Sequence, residues 1–184
     1  MPRRLSFVAM FLLLGLGSVA CSGSVDFSFG GQTPADAAVD LIEGEAMAQR
    51  LGVAPITGAL CQDPVDDQVG TTFSCTADSA GETINFEVLL EEDERIFAGP
   101  TNVVDTVALS RLETVAVQSL NSANGFTLPE DAMECGDESV ILDSAMQMTC
   151  ALTDPSTGVV FDALVTVNDT GTGDFNVAII GEAE

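Results

Sequence analysis

The residue types that could do chemistry in this chain are cysteines and carboxylates. Its 184 residues include five Cys and 29 Asp and Glu, but no His, Tyr or Trp. The five basic residues are all arginines. Without an imidazole or an amine, a Ser or Thr nucleophile lacks an activating base, so acid–base catalysis falls to carboxylate pairs. A carboxylate-dependent hydrolase of the glycosidase type is the enzyme hypothesis that remains.

Two acidic clusters offer oxygen ligands of the kind that Ca²⁺ prefers. They are "DPVDD" at residues 63–67 and "EEDE" at residues 91–94. Neither has the alternating ligands, the central Gly and the distal Glu of an EF-hand loop. Solvated loops are expected in so acidic a chain. We therefore predict no metal and no cofactor, with a calcium site as the alternative.

Four of the five cysteines form two pairs with similar spacing. Cys61 and Cys75 are 14 residues apart, and Cys135 and Cys150 are 15 apart. Small exported domains often add disulfides to support a modest core, so structural disulfides are predicted. Four cysteines can be joined in three ways. Pairing Cys61 with Cys75 and Cys135 with Cys150 is favoured, because it keeps two self-contained units. A four-thiolate metal site is the alternative, although such sites usually show closer Cys-x-x-Cys pairs.

The amino terminus has the layout of a signal peptide. Arg3 and Arg4 precede an apolar run at residues 5–17, and small residues follow up to residue 20. Cys21 then stands where a bacterial lipobox places its lipidated cysteine, although Ser18 replaces the usual leucine. We expect residues 1–20 to be removed and a lipid on Cys21 to anchor the chain outside the cytoplasm. Plain secretion and a retained anchor are the alternatives.

The charge of the remaining chain restricts its partners. Three arginines remain against all 29 acidic residues, a formal charge of −26. Such a surface repels phosphate backbones, so nucleic acid is excluded as a partner. A solvated, soluble surface is the simplest interpretation, and attraction of cations or of a basic protein is the other.

Two helices are predicted from apolar periodicity. Residues 21–33 are rich in Ser and Gly and indicate a flexible tether behind Cys21. The first helix follows at residues 34–51, with Thr33 as its cap and proline in its first turn. The second helix opens at Asp105 and runs to about Asn121, with an apolar stripe along one face.

Similar patterns follow both helices. The spacings from Cys61 to Cys135, from Cys75 to Cys150 and from Phe86 to the phenylalanine at residue 161 agree within one residue. Each stretch predicts a strand with the first cysteine, a strand that ends at the second, a tight hairpin, a long strand and a last strand. We therefore predict an internal duplication.

The predicted fold class is α+β, built as two tandem repeats. Each repeat is an N-terminal helix packed on a roughly four-stranded antiparallel sheet. The first repeat covers residues 34–100 and the second covers residues 101–184. The junction between them is short, so the two repeats are expected to pack together.

One set of residues resembles a known family. The first repeat is similar to the small Cys-pair domain of unknown function found in actinobacterial lipoproteins and secreted proteins, with two tandem copies here. The matching residues are Cys61, Gly70, Phe73, Cys75 and Gly81. Gln62 stands where that family usually has proline, and the second repeat has Ala145 and Met148 in place of the glycine and the phenylalanine. The resemblance implies a helix packed on an antiparallel sheet and no established activity.

The anchor, the duplication and the missing catalytic residue types together favour one function. We expect a lipid-anchored, non-catalytic binding or accessory module of the bacterial cell envelope, with an envelope protein or peptide as its partner. The alternative is a carboxylate-dependent secreted hydrolase such as a glycosidase.

Overall fold

The computed structural model describes residues 27–28, 31–124, 127–170 and 173–183. In this part the chain is an α+β fold with antiparallel sheets, which confirms the predicted class. Its helices are α1 (Pro34–Ile42), α2 (Glu45–Leu51) and α3 (Thr106–Asn124). Its strands are β1 (Phe27–Ser28), β2 (Ile56–Cys61), β3 (Thr72–Ser79), β4 (Glu82–Leu90), β5 (Arg95–Pro100), β6 (Val103–Val104), β7 (Met133–Glu134), β8 (Val140–Ile141), β9 (Gln147–Thr153), β10 (Val160–Asp169) and β11 (Asp174–Glu182). The signal peptide and Cys21 lie outside the described residues.

The first sheet has five strands in the order β1-β5-β4-β3-β2. Its hairpin between β3 and β4 is tight, because Ala80 and Gly81 both take the positive φ angles (53° and 91°) that a two-residue hairpin favours. The fifth strand, β1, lies inside the predicted tether at residues 21–33 and pairs antiparallel with Arg95 and Ile96 of β5. It therefore covers one edge of a sheet for which about four strands were predicted.

The first helical segment differs from the single helix predicted over residues 34–51. Helix α1 ends before Gly44, which takes an extended conformation (ψ 136°) as the N-cap of α2. Glycine weakens a helix interior. In addition, the Glu43 carboxylate accepts a hydrogen bond from the backbone N–H of Ala59 in β2 (2.8 Å). The chain therefore turns at this point and packs two short helices on the sheet instead of one long helix.

The second sheet has four strands in the order β11-β10-β9-β7. Its register corrects one expectation from the sequence. Phe86 of β4 lies opposite Cys75, but the residue opposite Cys150 is Ala163, two positions beyond Phe161. The reason is the connection between β9 and β10, which is not a tight hairpin but a loop of residues 154–159. The equal spacing of the two phenylalanines in the sequence is therefore not an equivalence in the sheets.

Helix α3 begins as predicted and ends later. The Asp105 carboxylate accepts a hydrogen bond from the backbone N–H of Ala108 (2.8 Å), which caps the first turn. The helix extends three residues beyond its predicted end at Asn121. The Asn121 side chain bonds both backbone groups of Leu128 (2.8 and 2.9 Å) and so holds the segment that follows the helix.

A short ladder joins the two halves of the chain. Strand β6 follows the first sheet and pairs antiparallel with β8, which lies in the second half. Asn102 precedes β6 and is buried. Its side chain accepts from the backbone N–H of Asn85 (2.8 Å) and donates to the backbone oxygens of Thr83 (2.9 Å) and Leu142 (2.8 Å). Its backbone oxygen accepts from the N–H of Leu142 (2.7 Å). One polar side chain therefore links the first sheet to the second half.

Each sheet buries its own apolar core. The first core lies under α1 and α2 and includes Ile42, Ile84 and Phe86. The second lies under α3 and includes Leu109 and Val165. Alternate residues of β3 and β4 face inward, as the alternation in the sequence predicts.

Candidate functional site

The cysteine pairs form the two predicted disulfides. Cys61 of β2 and Cys75 of β3 lie directly opposite each other, with Cα atoms 4.1 Å apart. Cys135 follows β7 and joins Cys150 of β9, with Cα atoms 4.2 Å apart. Cys75 and Cys150 lie inside their strands, whereas the sequence pattern predicted that each strand would end there. Since their sulfurs are bonded, these four cysteines act as cross-links between neighbouring strands.

The "DPVDD" cluster, with Asp63, Asp66 and Asp67, forms an exposed loop between β2 and β3. The Asp66 carboxylate accepts hydrogen bonds from the Thr71 hydroxyl and from the backbone N–H of Gln68, and these bonds lower the pKa of that carboxyl. The bonds use carboxylate oxygens to shape the loop. Among the described residues, no group of three or more His, Cys, Asp or Glu side chains is placed to hold a metal ion.

The "EEDE" cluster forms the turn between β4 and β5. Asp93 and Glu94 both take positive φ angles (60° and 54°). Glu91 forms a salt bridge with Arg95 across the turn (3.6 Å). The cluster is a solvated turn that positions the start of β5.

The carboxylates of the described residues lie at the surface. Ser79 and Asn102 are the only buried polar residues in this part of the chain, and no Asp or Glu is buried. A general acid in a glycosidase needs a raised pKa, which usually comes from an apolar pocket. The described residues include no acid in such a pocket.

Hollows on the surface of the described residues are open, as two of them show. The first, about 630 Å³, lies along the outer face of α3 between Val107, Arg111 and Val115. The second, about 400 Å³, lies beside the second disulfide near Glu82 and Ser139. Both are wide and shallow, which is unlike the enclosed clefts that hold small ligands.

The most distinctive surface is the outer edge of the second sheet. Strand β11 pairs with β10 on one side, and among the described residues no strand pairs with its other side. Phe175, Val177 and Ile179 lie opposite Val167, Val165 and Ala163, on the face of the sheet that carries the core. Phe175 and Val177 are half-buried, whereas Ile179 and Ile180 are 44% and 58% exposed. We call these four β11 residues the β11 strip.

The position of α3 explains why the β11 strip is open. Helix α3 packs most closely against β7, at the opposite edge of the sheet. In the first sheet, α1 packs against β5, and Ile96 and Ala98 of that strand are 1% and 2% exposed. The last strand of one sheet is therefore covered by a helix and a strand, and the last strand of the other is not.

Comparisons with known proteins give no information on the family or the function of this chain. Searches against protein-family models, curated proteins and solved structures found no match to this chain. Among the described residues, no helix is long and apolar enough to cross a membrane.

Sequence reasoning did not single out the β11 strip. The run "FNVAIIG" at residues 175–181 predicted a last strand, but not that the strand would be an open edge. The seven uncharged residues of this run are not a distinctive signal, because the chain has longer uncharged runs at residues 51–62 and 114–129. Natural edge strands usually carry a charge, a proline or a strong bulge that prevents pairing.

Proposed function

We propose that the chain is a non-catalytic binding module that a lipid on Cys21 tethers to the bacterial cell envelope. The observation that carries this proposal is the β11 strip, an open edge with apolar side chains in a strongly acidic protein. Exposed apolar side chains at an unpaired edge are typical of protein interaction surfaces. The charge adds long-range attraction toward a basic protein or peptide of the envelope.

The proposed location has two parts. Two disulfides are consistent with an extracytoplasmic location, because such bonds persist in oxidising compartments. The lipid on Cys21 is the finer proposal, and the lipobox-like sequence supports it. Cys21→Ala should move the protein from the detergent phase to the aqueous phase after phase separation. Retention of this variant in the detergent phase would mean that another segment anchors the chain.

We also propose that the two halves are tandem copies of one helix-and-sheet unit. Supporting this, the order β2-β3-β4-β5 in the first sheet parallels β7-β9-β10-β11 in the second. Each half also carries one disulfide between its first two sheet strands. The two copies would then have diverged in the length of one connection, which is shorter between β3 and β4 than between β9 and β10. They would also have diverged in the elements that cover the last strand.

The binding function is tested by affinity purification. The purified protein, immobilised at its amino-terminal end, is incubated with envelope extract at low and at high salt. We expect a defined basic protein to be retained at low salt and to be released as the salt screens the charge. Retention of no protein above a matched acidic control protein contradicts the proposed function.

A further inference from the structure

We infer that the outer edge of β11 binds an extended polypeptide strand of another protein, with apolar residues in the middle of that strand and basic residues at its ends. This inference rests on the proposed binding function and specifies its surface and its partner. The binding mode is strand addition, in which backbone hydrogen bonds extend the sheet and side chains give specificity.

Among the described residues, β11 is the edge strand with the longest stretch of regular register. Edge strands β1 and β7 have two residues each, too few to template a partner. Edge strand β2 has six residues, but its register shifts between Thr57 and Leu60, where Gly58 takes a positive φ of 66°. Such a bulge bends an edge away from a partner. Strand β11 has nine residues, and its charges lie at the two ends. Its register with β10 shifts at both ends, at Ile180 and next to Asp174, but is regular over the five residues from Phe175 to Ile179.

In the first sheet, the edge that corresponds to the open edge of β11 is paired with another strand. Strand β5 is the last strand of its sheet, as β11 is of the other, and β1 pairs antiparallel with its outer edge. The inward-facing side chains of β5 are buried. A strand added to β11 would place side chains beside the β11 strip and remove Ile179 and Ile180 from water.

Charge determines the chemistry of the partner. Asp174 opens β11 and Glu182 closes it, so both ends of the apolar stretch are acidic. Asp162 of β10 lies opposite Gly181 and adds a half-exposed carboxylate near one end. Lysine or arginine at the ends of an added strand would pair with these acids, as opposite charges do across strands.

A second copy of this chain fits the edge poorly. In an antiparallel β11–β11 pair centred on Ala178, Asp174 of each chain would face Glu182 of the other, and like charges directly opposite are destabilising. The formal charge of −26 on each processed chain adds repulsion between copies. A basic-ended strand from another protein avoids both costs.

The test uses synthetic peptides of the same length as β11 and the full protein. The probe has lysine at both ends with alternating valine and threonine between them. One control has glutamate at both ends, and a second carries N-methyl groups on alternate backbone amides, which blocks strand pairing. Isothermal titration calorimetry should show binding of the probe and at least about tenfold weaker binding of both controls, because several backbone hydrogen bonds or the end charges are lost.

Matched variants locate the site. Ile179→Lys with Ile180→Lys should weaken probe binding about tenfold or more, since lysine on an edge strand opposes pairing. Leu60→Lys with Val65→Lys makes the same charge change at exposed apolar residues of the first half and should bind the probe like the parent protein. Thermal unfolding checks that both double variants are folded.

Five outcomes would overturn the inference. Equal binding of the N-methylated peptide rules out strand addition, and equal weakening by both double variants rules out β11. Equal binding of the glutamate-ended peptide rules out the basic partner. Self-association in sedimentation equilibrium that the Ile179→Lys and Ile180→Lys changes abolish would make the occupant a second copy. If envelope extract yields no partner but the probe behaves as expected, only the proposed envelope function fails. A captured partner that ignores the β11 changes overturns this inference alone.

Discussion

The two sheets share a strand order but differ at the outer edge of the last strand. In the first sheet, β1 pairs with β5 and α1 packs across it, so Ile96 and Ala98 are buried. In the second sheet, a single helix lies toward β7, and β11 keeps Ile179 and Ile180 at the surface. The comparison shows that, among the described residues, one meander can have a covered or an open last strand. What covers the last strand makes the difference.

The helices explain part of this contrast. The turn at Gly44 divides the first helical segment into two pieces, of which α1 contacts both β2 and β5 and α2 contacts β2. Helix α3 is unbroken over 19 residues and covers the second sheet along one line. The helical cover therefore reaches the last strand in the first sheet, through α1, and lies mainly at β7 in the second.

The largest expected effect concerns the two cores. Phe86→Ala should lower the free energy of unfolding by about 4 kcal/mol, because it removes a buried aromatic side chain. Its counterpart in the second sheet, opposite Cys150, is Ala163. Ala163→Gly should cost only about 1 kcal/mol, from backbone entropy and one methyl group. Urea unfolding of both variants measures the contrast, and similar costs would contradict the register described here.

The two disulfides should contribute equally despite the difference between the sheets. Replacing either pair by alanine, Cys61 with Cys75 or Cys135 with Cys150, should cost about 3 kcal/mol, because the closed loops have nearly the same length. The measurement is urea unfolding of the two double variants. A cost confined to one pair would show that packing and not loop length sets the contribution.

The junction between the halves provides a somewhat smaller effect. Asn102→Ala leaves buried backbone groups of both halves without partners and should cost about 2–3 kcal/mol. Asn121→Ala is the matched control, since Asn121 bonds only one residue, Leu128, within the second half. We expect the Asn102 variant to broaden the unfolding transition, as the two halves lose coupling. Equal costs and equal cooperativity in the two variants would contradict a joining role for Asn102.

Local patterns in the sequence predicted much of the fold. The disulfide pairing, the cap at Asp105 and the tight hairpin at Gly81 all depend on residues close together in the sequence. The break at Gly44 was not predicted, because the apolar stripe continues across it. The deciding contact, from Glu43 to Ala59, forms only when the helix meets the sheet.

Long-range features left little signal in the sequence. Asn102 lies in a short polar turn, and its partners Asn85 and Leu142 are 17 and 40 residues away. The open edge of β11 depends on where α3 and the other strands lie, which the alternation within β11 does not encode.

The smallest expected effect is the contribution to stability of one carboxyl in each of two loops. Asp66 and Asp154 each accept a backbone bond from the second residue after them and hydroxyl bonds nearby. The Thr71 hydroxyl, for Asp66, and the Ser156 hydroxyl, for Asp154, lower the pKa of these carboxyls below the ordinary 3.8. A carboxyl with a lower pKa in the folded state than in the unfolded state stabilises the fold at a pH above its ordinary pKa. This stabilisation is lost as the pH falls through the folded-state pKa.

Asparagine variants measure this effect. Asp66→Asn and Asp154→Asn should each show a slightly lower unfolding temperature than the parent at neutral pH, and the difference should vanish in strong acid. Asp66 is exposed and Asp154 is half-exposed, so the effects on stability should be small in both halves. A difference that grows as the pH falls would contradict the assigned direction.

Hydrogen exchange tests the contrast between β11 and β5 most directly. In the free protein, the alternate amides of β11 that point away from β10 should exchange faster than the amides of Arg95 and Ile96 in β5, since β1 pairs with β5 at these two residues. Adding the lysine-ended probe peptide should slow exchange in β11 and leave β2 and β5 unchanged. Exchange that stays fast in β11, or slows equally in β2, would contradict the account.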